Sequence, residues 1–259
     1  MTPLDIPTVS RFTHAAMSTE FELLLPGEET PHSQGAAQAA FAEIDRLESL
    51  FSRFDSRSEI SRINRLEPGG SLRVGIEVIE CLDLAFRLNE ETGGAFDVDH
   101  RSRLDRAAQR ASDAEPEASG GAAWPVELVQ VSDGFVVSVL RSVDLDLGGI
   151  GKGYALDQVK DLLEDWDHPD ALLHAGTSTA LAWGDPGRGR ESDKGGWPLG
   201  VAGPWAGSEV PGRVLLQDRA LSGSGVEVKG EHVVNPASGG PASGHPAAWA
   251  SSPSAAVAD

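Results

Sequence analysis

The sequence predicts an α+β fold of helices packed on sheets. Helical spacing dominates the early part of the chain, strand-like segments dominate the late part, and one strand–turn–helix unit stands between them. Helices and strands segregated in this way favour α+β over a regularly alternating α/β fold.

Residues 17–26 read as a strand. Ala37, Ala40, Phe41, Ile44, Leu47 and Phe51 recur at helical spacing and predict a helix over 36–51. Ser56 with Glu59 fits a capping box and predicts a short helix ending near Asn64. Pro68, Gly69 and Gly70 break the chain. Val78, Ile79, Leu82, Ala85 and Phe86 mark a second long helix that Gly93 and Gly94 stop. The Ala-, Glu-, Ser- and Gly-rich stretch 106–123 reads as a surface loop or frayed helix. Residues 126–147 predict a β-hairpin turning at Ser132, Asp133 and Gly134.

A Gly-rich turn follows, then a helix with Tyr154, Ala155, Val159, Leu162, Leu163 and Trp166 on one side. Residues 171–183 read as paired short strands, 185–196 as a polar loop, and 197–202, 213–218, 232–234 and 247–251 as further strands. There is no internal repeat and no heptad pattern.

The composition bounds the function. The 259 residues suffice for a sizeable core, and the net charge of −19 disfavours long-range attraction to nucleic acid or anionic membrane. An anionic ligand must therefore be held by local devices: backbone N–H groups, a placed Lys or a metal. Cys81 is the single cysteine, so an internal disulfide or a thiolate zinc site is excluded, and its place on an apolar helix face makes it a core residue. The N-terminus lacks the basic and apolar regions of an export signal, and no apolar run approaches a membrane span. As written, the chain reads as cytoplasmic; it would be exported if an upstream signal had been lost.

The strongest local signal is VDLDLGGIGKGYALD, residues 143–157. An apolar strand is expected to run into four glycines and then a helix. Glycines permit a sharp turn and close approach, the helix N-terminus favours negative charge, and Lys152 adds a cation. The spacing matches neither a Walker A loop nor a dinucleotide GxGxxG. On local pattern the segment is either a phosphate cradle or a tight structural turn.

This segment resembles the signature of the ApbE family, the FAD:protein FMN transferases. Other segments resemble that family in the same order: Met17-Ser18-Thr19, the stretch from Leu47 to Asn64, Gly94-Ala95-Phe96-Asp97, Ser222-Gly223-Ser224-Gly225, and His232-Val233-Val234-Asn235-Pro236 with Gly239. The resemblance implies one ApbE-like catalytic domain over 1–259, with mainly antiparallel sheets and packed helices. It implies that FAD is split at its pyrophosphate, that FMN passes to a Thr or Ser hydroxyl of an acceptor flavoprotein, and that AMP leaves. Hydrolysis of FAD to FMN and AMP is the alternative at the same site, and both reactions need Mg²⁺ in such a family. A flavin-binding protein without catalysis is a third reading.

By the same resemblance, Asp146 contacts the flavin nucleotide and Lys152 lies near the phosphates. Met17, Phe54, Ala95, Phe96, Asp97 and Val233 are further FAD contacts, and the Gly149 carbonyl and Asp259 face the metal. His232 is the candidate general base for the acceptor hydroxyl, because a histidine titrates near neutral pH; a structural histidine at a strand start is the alternative. His14, His32, His100, His168 and His245 have no metal-ligand spacing, and His174 is not required by the family pattern.

The chain departs from the family pattern in three places. Gly176-Thr177 stands where paired glycines are usual, and Asn235 and Ala237 replace a carboxylate and an Arg. The family's Ala-Asp-Ala-x-x-Thr-Ala segment stops here at Ala258-Asp259. That stop in mid-motif fits a truncated chain, with a degenerate relative as the alternative. Asp259 is accordingly expected to be mobile and a poor metal ligand.

Overall fold

The computed structural model describes residues 8–102, 104–105, 124–187, 195–201, 212–225, 235–236, 240, 242 and 247–259. The chain divides into two compact units: Met1–Arg46, Ile150–His232 and Ser243–Asp259 form the first, and Leu47–Gly149 and Val233–Ala242 the second. The chain passes from the second unit to the first between Gly149 and Ile150.

The first unit is built on a six-stranded sheet. Its order is β1 (Val9–Ala16), β2 (Thr19–Pro26), β6 (Ala171–Ala175), β7 (Thr179–Trp183), β10 (Arg219–Gly225) and β11 (Ala247–Ser252). Every pairing in it is antiparallel. Side chains alternate across a strand, so one register serves two cores. Phe21, Leu23, Leu173, Leu181, Trp183 and Ala220 bury against helix α1 (Pro31–Phe51) and helix α4 (Gly151–Asp165). Their neighbours Leu24, Leu172, Ala180, Ala182 and Leu221 face Trp197, Leu199 and Leu216 of the hairpin β8 (Trp197–Val201) and β9 (Gly212–Leu216). Two indoles are satisfied within the unit: Trp183 Nε1 donates to the His168 carbonyl and Trp197 Nε1 to the Trp183 carbonyl. A short helix α5 (Ala255–Ala258) closes this part of the chain.

The second unit holds the antiparallel sheet β3 (Ser71–Val74), β5 (Gly134–Val139) and β4 (Val126–Val131) in that order. Helix α3 (Ile76–Glu91) buries Val78, Cys81, Leu82 and Ala85, and burial pushes the Cys81 thiol up to about 12. Helix α2 (Glu59–Ile63) is capped by Ser58, whose side chain accepts from the Ser61 N–H. The expected capping residue, Ser56, is therefore two positions early. Glu59 turns instead to the loop before α3, where it accepts from the Gly75 N–H at 2.8 Å.

Further expectations need amendment. An unforeseen edge strand, β1, precedes the first expected one, β3 follows the Pro68, Gly69 and Gly70 break unforeseen, and β10 occupies a Ser- and Gly-rich segment that carries little strand signal. The stretch before the Gly-rich turn, residues 142–147, belongs to no strand. Residues 106–123 and 232–234 lie outside the described residues.

Candidate functional site

The signature segment keeps strand-like alternation without a strand. Val143, Leu145 and Leu147 are buried, while Asp144 and Asp146 are partly exposed between them. Its backbone groups are satisfied by side chains rather than by a ladder. The Asn64 amide pairs with Leu145 in both directions, donating to its carbonyl at 2.9 Å and accepting from its N–H at 2.8 Å. The Asp144 N–H donates to Asp99 Oδ1, and the Asp146 N–H to the Val98 carbonyl. Buried backbone groups must find partners, and here they find them at the C-cap of α2 and on the loop after Phe96.

Asp146 is clamped on both oxygens. Oδ1 accepts from the Gly148 N–H at 2.9 Å, and Oδ2 accepts from Arg53 Nη1 at 2.9 Å. Arg53 also reaches both oxygens of Asp144, at 2.8 and 3.0 Å. Burial pushes the Asp146 carboxyl up. The Arg53 and Gly148 hydrogen bonds and the charges of Arg53 and Arg101 outweigh it, so the net shift is downward. Arg53 also lies 5.8 Å from the ring centroid of Phe54, which is 88% exposed. Phe54 is thus a flat apolar face presented to solvent rather than a core residue.

Ala95, Phe96 and Asp97 lie in the same unit. Phe96 is held by its backbone: its N–H donates to Thr92 Oγ1 and its carbonyl accepts from Asn89 Nδ2. Asp97 Oδ1 accepts from the Asp99 N–H at 2.8 Å, forming a side-chain turn. A Cβ on Gly149 would lie 3.4 Å from the Phe96 ring, so the glycine and the ring are neighbours. Arg53, Phe54, Phe96, Asp146 and Gly149 therefore belong to one unit.

The first unit carries a second group. Lys152, in the first turn of α4, places Nζ 2.9 and 3.2 Å from the two carboxylate oxygens of Asp259. Their side chains are only 15% and 5% exposed. The Gly153 N–H and Thr179 Oγ1 also donate to Asp259, at 3.3 and 2.7 Å. Because Thr179 commits its one hydroxyl hydrogen to Asp259, Ser222 Oγ donates to Thr179 across 3.0 Å. Asp259 is thus held in place, and the expected mobility is corrected.

The cause lies on α4. Gly153 and Asp157, four residues apart, share one face of that helix. A Cβ on Gly153 would sit 2.3 Å from the Ala255 carbonyl oxygen, so only glycine lets the last helix approach. The Asp157 carboxylate caps that helix from outside its own chain segment, accepting from Ser254 Oγ and the Ala255 N–H at 2.7 Å each and the Ala256 N–H at 3.0 Å. Met17 lies in this unit too, in the two-residue turn between β1 and β2, where Met17 and Ser18 have φ of +48° and +58°. Its side chain packs partly buried against the core.

His232 and Val233 lie outside the described residues. Reading the sequence alone missed Arg53, Asp144, Asp157 and Thr179 as site residues. The i, i+4 relation of Gly153 and Asp157 was the available signal for one of them. Among the described residues no cluster of three His, Cys, Asp or Glu side chains is placed to hold a metal. Asp259, Thr179 and Ser222 nonetheless form an oxygen-only donor set, the kind a hard cation such as Mg²⁺ takes.

The profile of the ApbE family matches residues 17–259. No curated protein sequence matches the chain significantly. Among solved structures, the chain resembles the ApbE protein of Thermotoga maritima at 23% identity and TM-score 0.73, covering 97% of this chain and 84% of that one. It resembles the apo form of the Pseudomonas stutzeri flavinyl transferase ApbE at 22% identity and TM-score 0.73, covering 99% and 83%. The flavin transferase ApbE from Vibrio cholerae matches at 18% identity and TM-score 0.73, covering 97% and 84%. At these identities the likeness establishes the fold.

Proposed function

The chain belongs to the ApbE family, and from that premise we propose that it transfers FMN from FAD to a Thr or Ser hydroxyl of an acceptor protein, releasing AMP. The observation that carries the reading is the largely buried Lys152–Asp259–Thr179–Ser222 network, which joins Lys152 of the family's signature segment, at the start of α4, to three distant residues.

In the proposed reaction the acceptor oxygen bonds to the phosphorus on the FMN side of the pyrophosphate. The bond from that phosphorus to the bridging oxygen breaks, and AMP departs with the oxygen. The hydroxyl proton passes to a base, for which His232 is the proposed residue. Negative charge gathers on the phosphate oxygens as the bond breaks, so donors aimed at them supply most of the stabilisation. Lys152 provides an ammonium there, and the first turn of α4 adds the positive end of its dipole. Asp146, fixed by Arg53 and the Gly148 N–H, orients the nucleotide. The exposed ring of Phe54 and the backbone-held Phe96 offer aromatic faces for a ring system. Mg²⁺ is the proposed metal, held by Asp259 with Thr179 and Ser222 as oxygen donors; when bound it would neutralise phosphate charge as a Lewis acid.

The test is AMP release from FAD in Mg²⁺ buffer, with and without a Thr-bearing acceptor. Acceptor-dependent AMP together with an FMN mass gain on the acceptor is the expected result. AMP without acceptor would replace the transferase by a hydrolase. Bound FAD with no AMP in either case would leave a flavin-binding protein.

A further inference from the structure

We infer that Lys152 is the built-in counter-cation of Asp259, and that a divalent cation must displace it to bind there. This rests on the reading of Asp259 as a metal ligand and adds a control step to it.

The Asp259 carboxylate has no room for an additional cation as it stands. A carboxylate offers about four lone-pair directions, and its two oxygens accept four hydrogen bonds: two from Lys152, one from the Gly153 N–H and one from Thr179 Oγ1. Two of these donors are fixed. The Gly153 N–H is part of α4, and Thr179 is a buried residue at the start of β7. Lys152 is the exception, because its ammonium rides on a flexible four-carbon stem. It is also the only one of the donors whose charge repels a metal ion. An entering cation would therefore exchange with Lys152 and leave the other donors in place.

The exchange has a consequence for the proposed reaction. Lys152 is rooted in the first turn of α4, directly after the Gly-rich turn. Once released from Asp259, its ammonium becomes available to an anion at that helix start. Cation binding would then arm Lys152 toward phosphate, and without the cation the lysine stays sequestered by Asp259.

The experiment uses Mn²⁺ as the probe, with free Mn²⁺ counted by electron paramagnetic resonance, on the wild-type chain, Lys152→Met, Lys152→Arg and Asp259→Asn. Removing one member of a buried ion pair leaves an uncompensated charge, so Lys152→Met should bind Mn²⁺ about tenfold or more tightly than wild type. Its melting temperature should fall in EDTA and recover when Mg²⁺ is added. Lys152→Arg, which keeps the charge in a more rigid fork, should bind Mn²⁺ no better than wild type, and it keeps the comparison open if the Met variant does not fold. Equal Mn²⁺ affinity in wild type and Lys152→Met, or tighter binding in Lys152→Arg, would overturn the displacement while leaving Asp259 as a ligand. Mn²⁺ binding that survives Asp259→Asn, or that is absent from wild type and Lys152→Met alike, would overturn the metal reading itself and the displacement with it.

Discussion

Asp157→Ala is expected to cost about 3 kcal/mol of stability and to release Asp259 from Lys152. The carboxylate accepts three hydrogen bonds, from Ser254 Oγ and from the Ala255 and Ala256 N–H groups. A hydrogen bond to a charged partner contributes about 1.5–3 kcal/mol. The three share one carboxylate and are not independent, which keeps the total near the value of one or two such bonds. Water is a poor replacement, because Ala255 is fully buried and Ala256 only 2% exposed. The two orphaned N–H groups open the helix whose C-cap is Asp259, so loosening that end loosens the other. Asp157→Asn keeps one acceptor oxygen and should recover roughly half of the loss. Urea denaturation of the three proteins, fitted with a common slope, reads the difference. An unfolding free energy for Asp157→Ala within about 0.5 kcal/mol of wild type, the range of an ordinary surface change, would refute the clamp and the account of how Asp259 is placed.

Gly153→Ala should lose about 2 kcal/mol or more in thermal denaturation, since its Cβ meets the Ala255 carbonyl, a backbone atom that no rotamer change can move. Arg53→Met should weaken FAD binding, read by flavin fluorescence, because Asp146 loses the partner that fixes Oδ2. The same substitution should flatten the acid limb of stability. The Asp146 carboxyl lies below its unfolded value, so its contribution is present above about pH 4 and is lost as the pH falls through the folded value; urea midpoints between about pH 5 and pH 2 should fall less steeply in Arg53→Met than in wild type. His168 is lowered by burial and by the stacked His32, and its Nε2 has no hydrogen-bond partner among the described residues. Stability tied to neutral His168 is complete above about pH 6.5 and declines as the pH falls toward the lower folded value, so His168→Gln should show a smaller loss between about pH 7 and pH 5 in the same titration.

The helices were legible because burial repeats along them every turn. Val78, Leu82 and Ala85 on α3, and Tyr154, Val159 and Leu163 on α4, sit where the spacing puts them. Three strands were not legible, β1 and β3 as exposed edge strands and β10 for the opposite reason. β1 lies at the sheet edge and most of its residues are at least partly exposed, so its alternation is shallow. β10 is paired on both sides, between β7 and β11, and its small residues are demanded by its neighbours: a Cβ on Gly223 would lie 2.8 Å from the Trp249 indole nitrogen. Strand propensity measures fit to a surface more than backbone preference, and a strand selected for thinness reads as a turn. The stretch 143–147 fails in the other direction. Its alternation is real, but Asn64, Asp99 and the Val98 carbonyl, distant in sequence, occupy the places of a partner strand.

The site divides along the same line. Residues inside the signature could be singled out because its glycines and Lys152 imply a turn and a cation, and Asp146 because the segment resembles the family's. What those residues bond to could not be. Asp259 looked mobile because it is the last residue of the sequence, yet its side chain is held by Lys152 and Thr179, 107 and 80 residues away. Arg53 stood within the stretch from Leu47 to Asn64 that resembles the family, while its charge answers Asp144 and Asp146 about ninety residues on. The glycines give the clearest case of chemistry set by a distant partner. Gly153 reads as phosphate-loop freedom, but the space it leaves is filled by the backbone of Ala255 and Ala256. The tight structural contact is thus present at Gly153, while the proposed phosphate cradle depends on the charge of its neighbour Lys152.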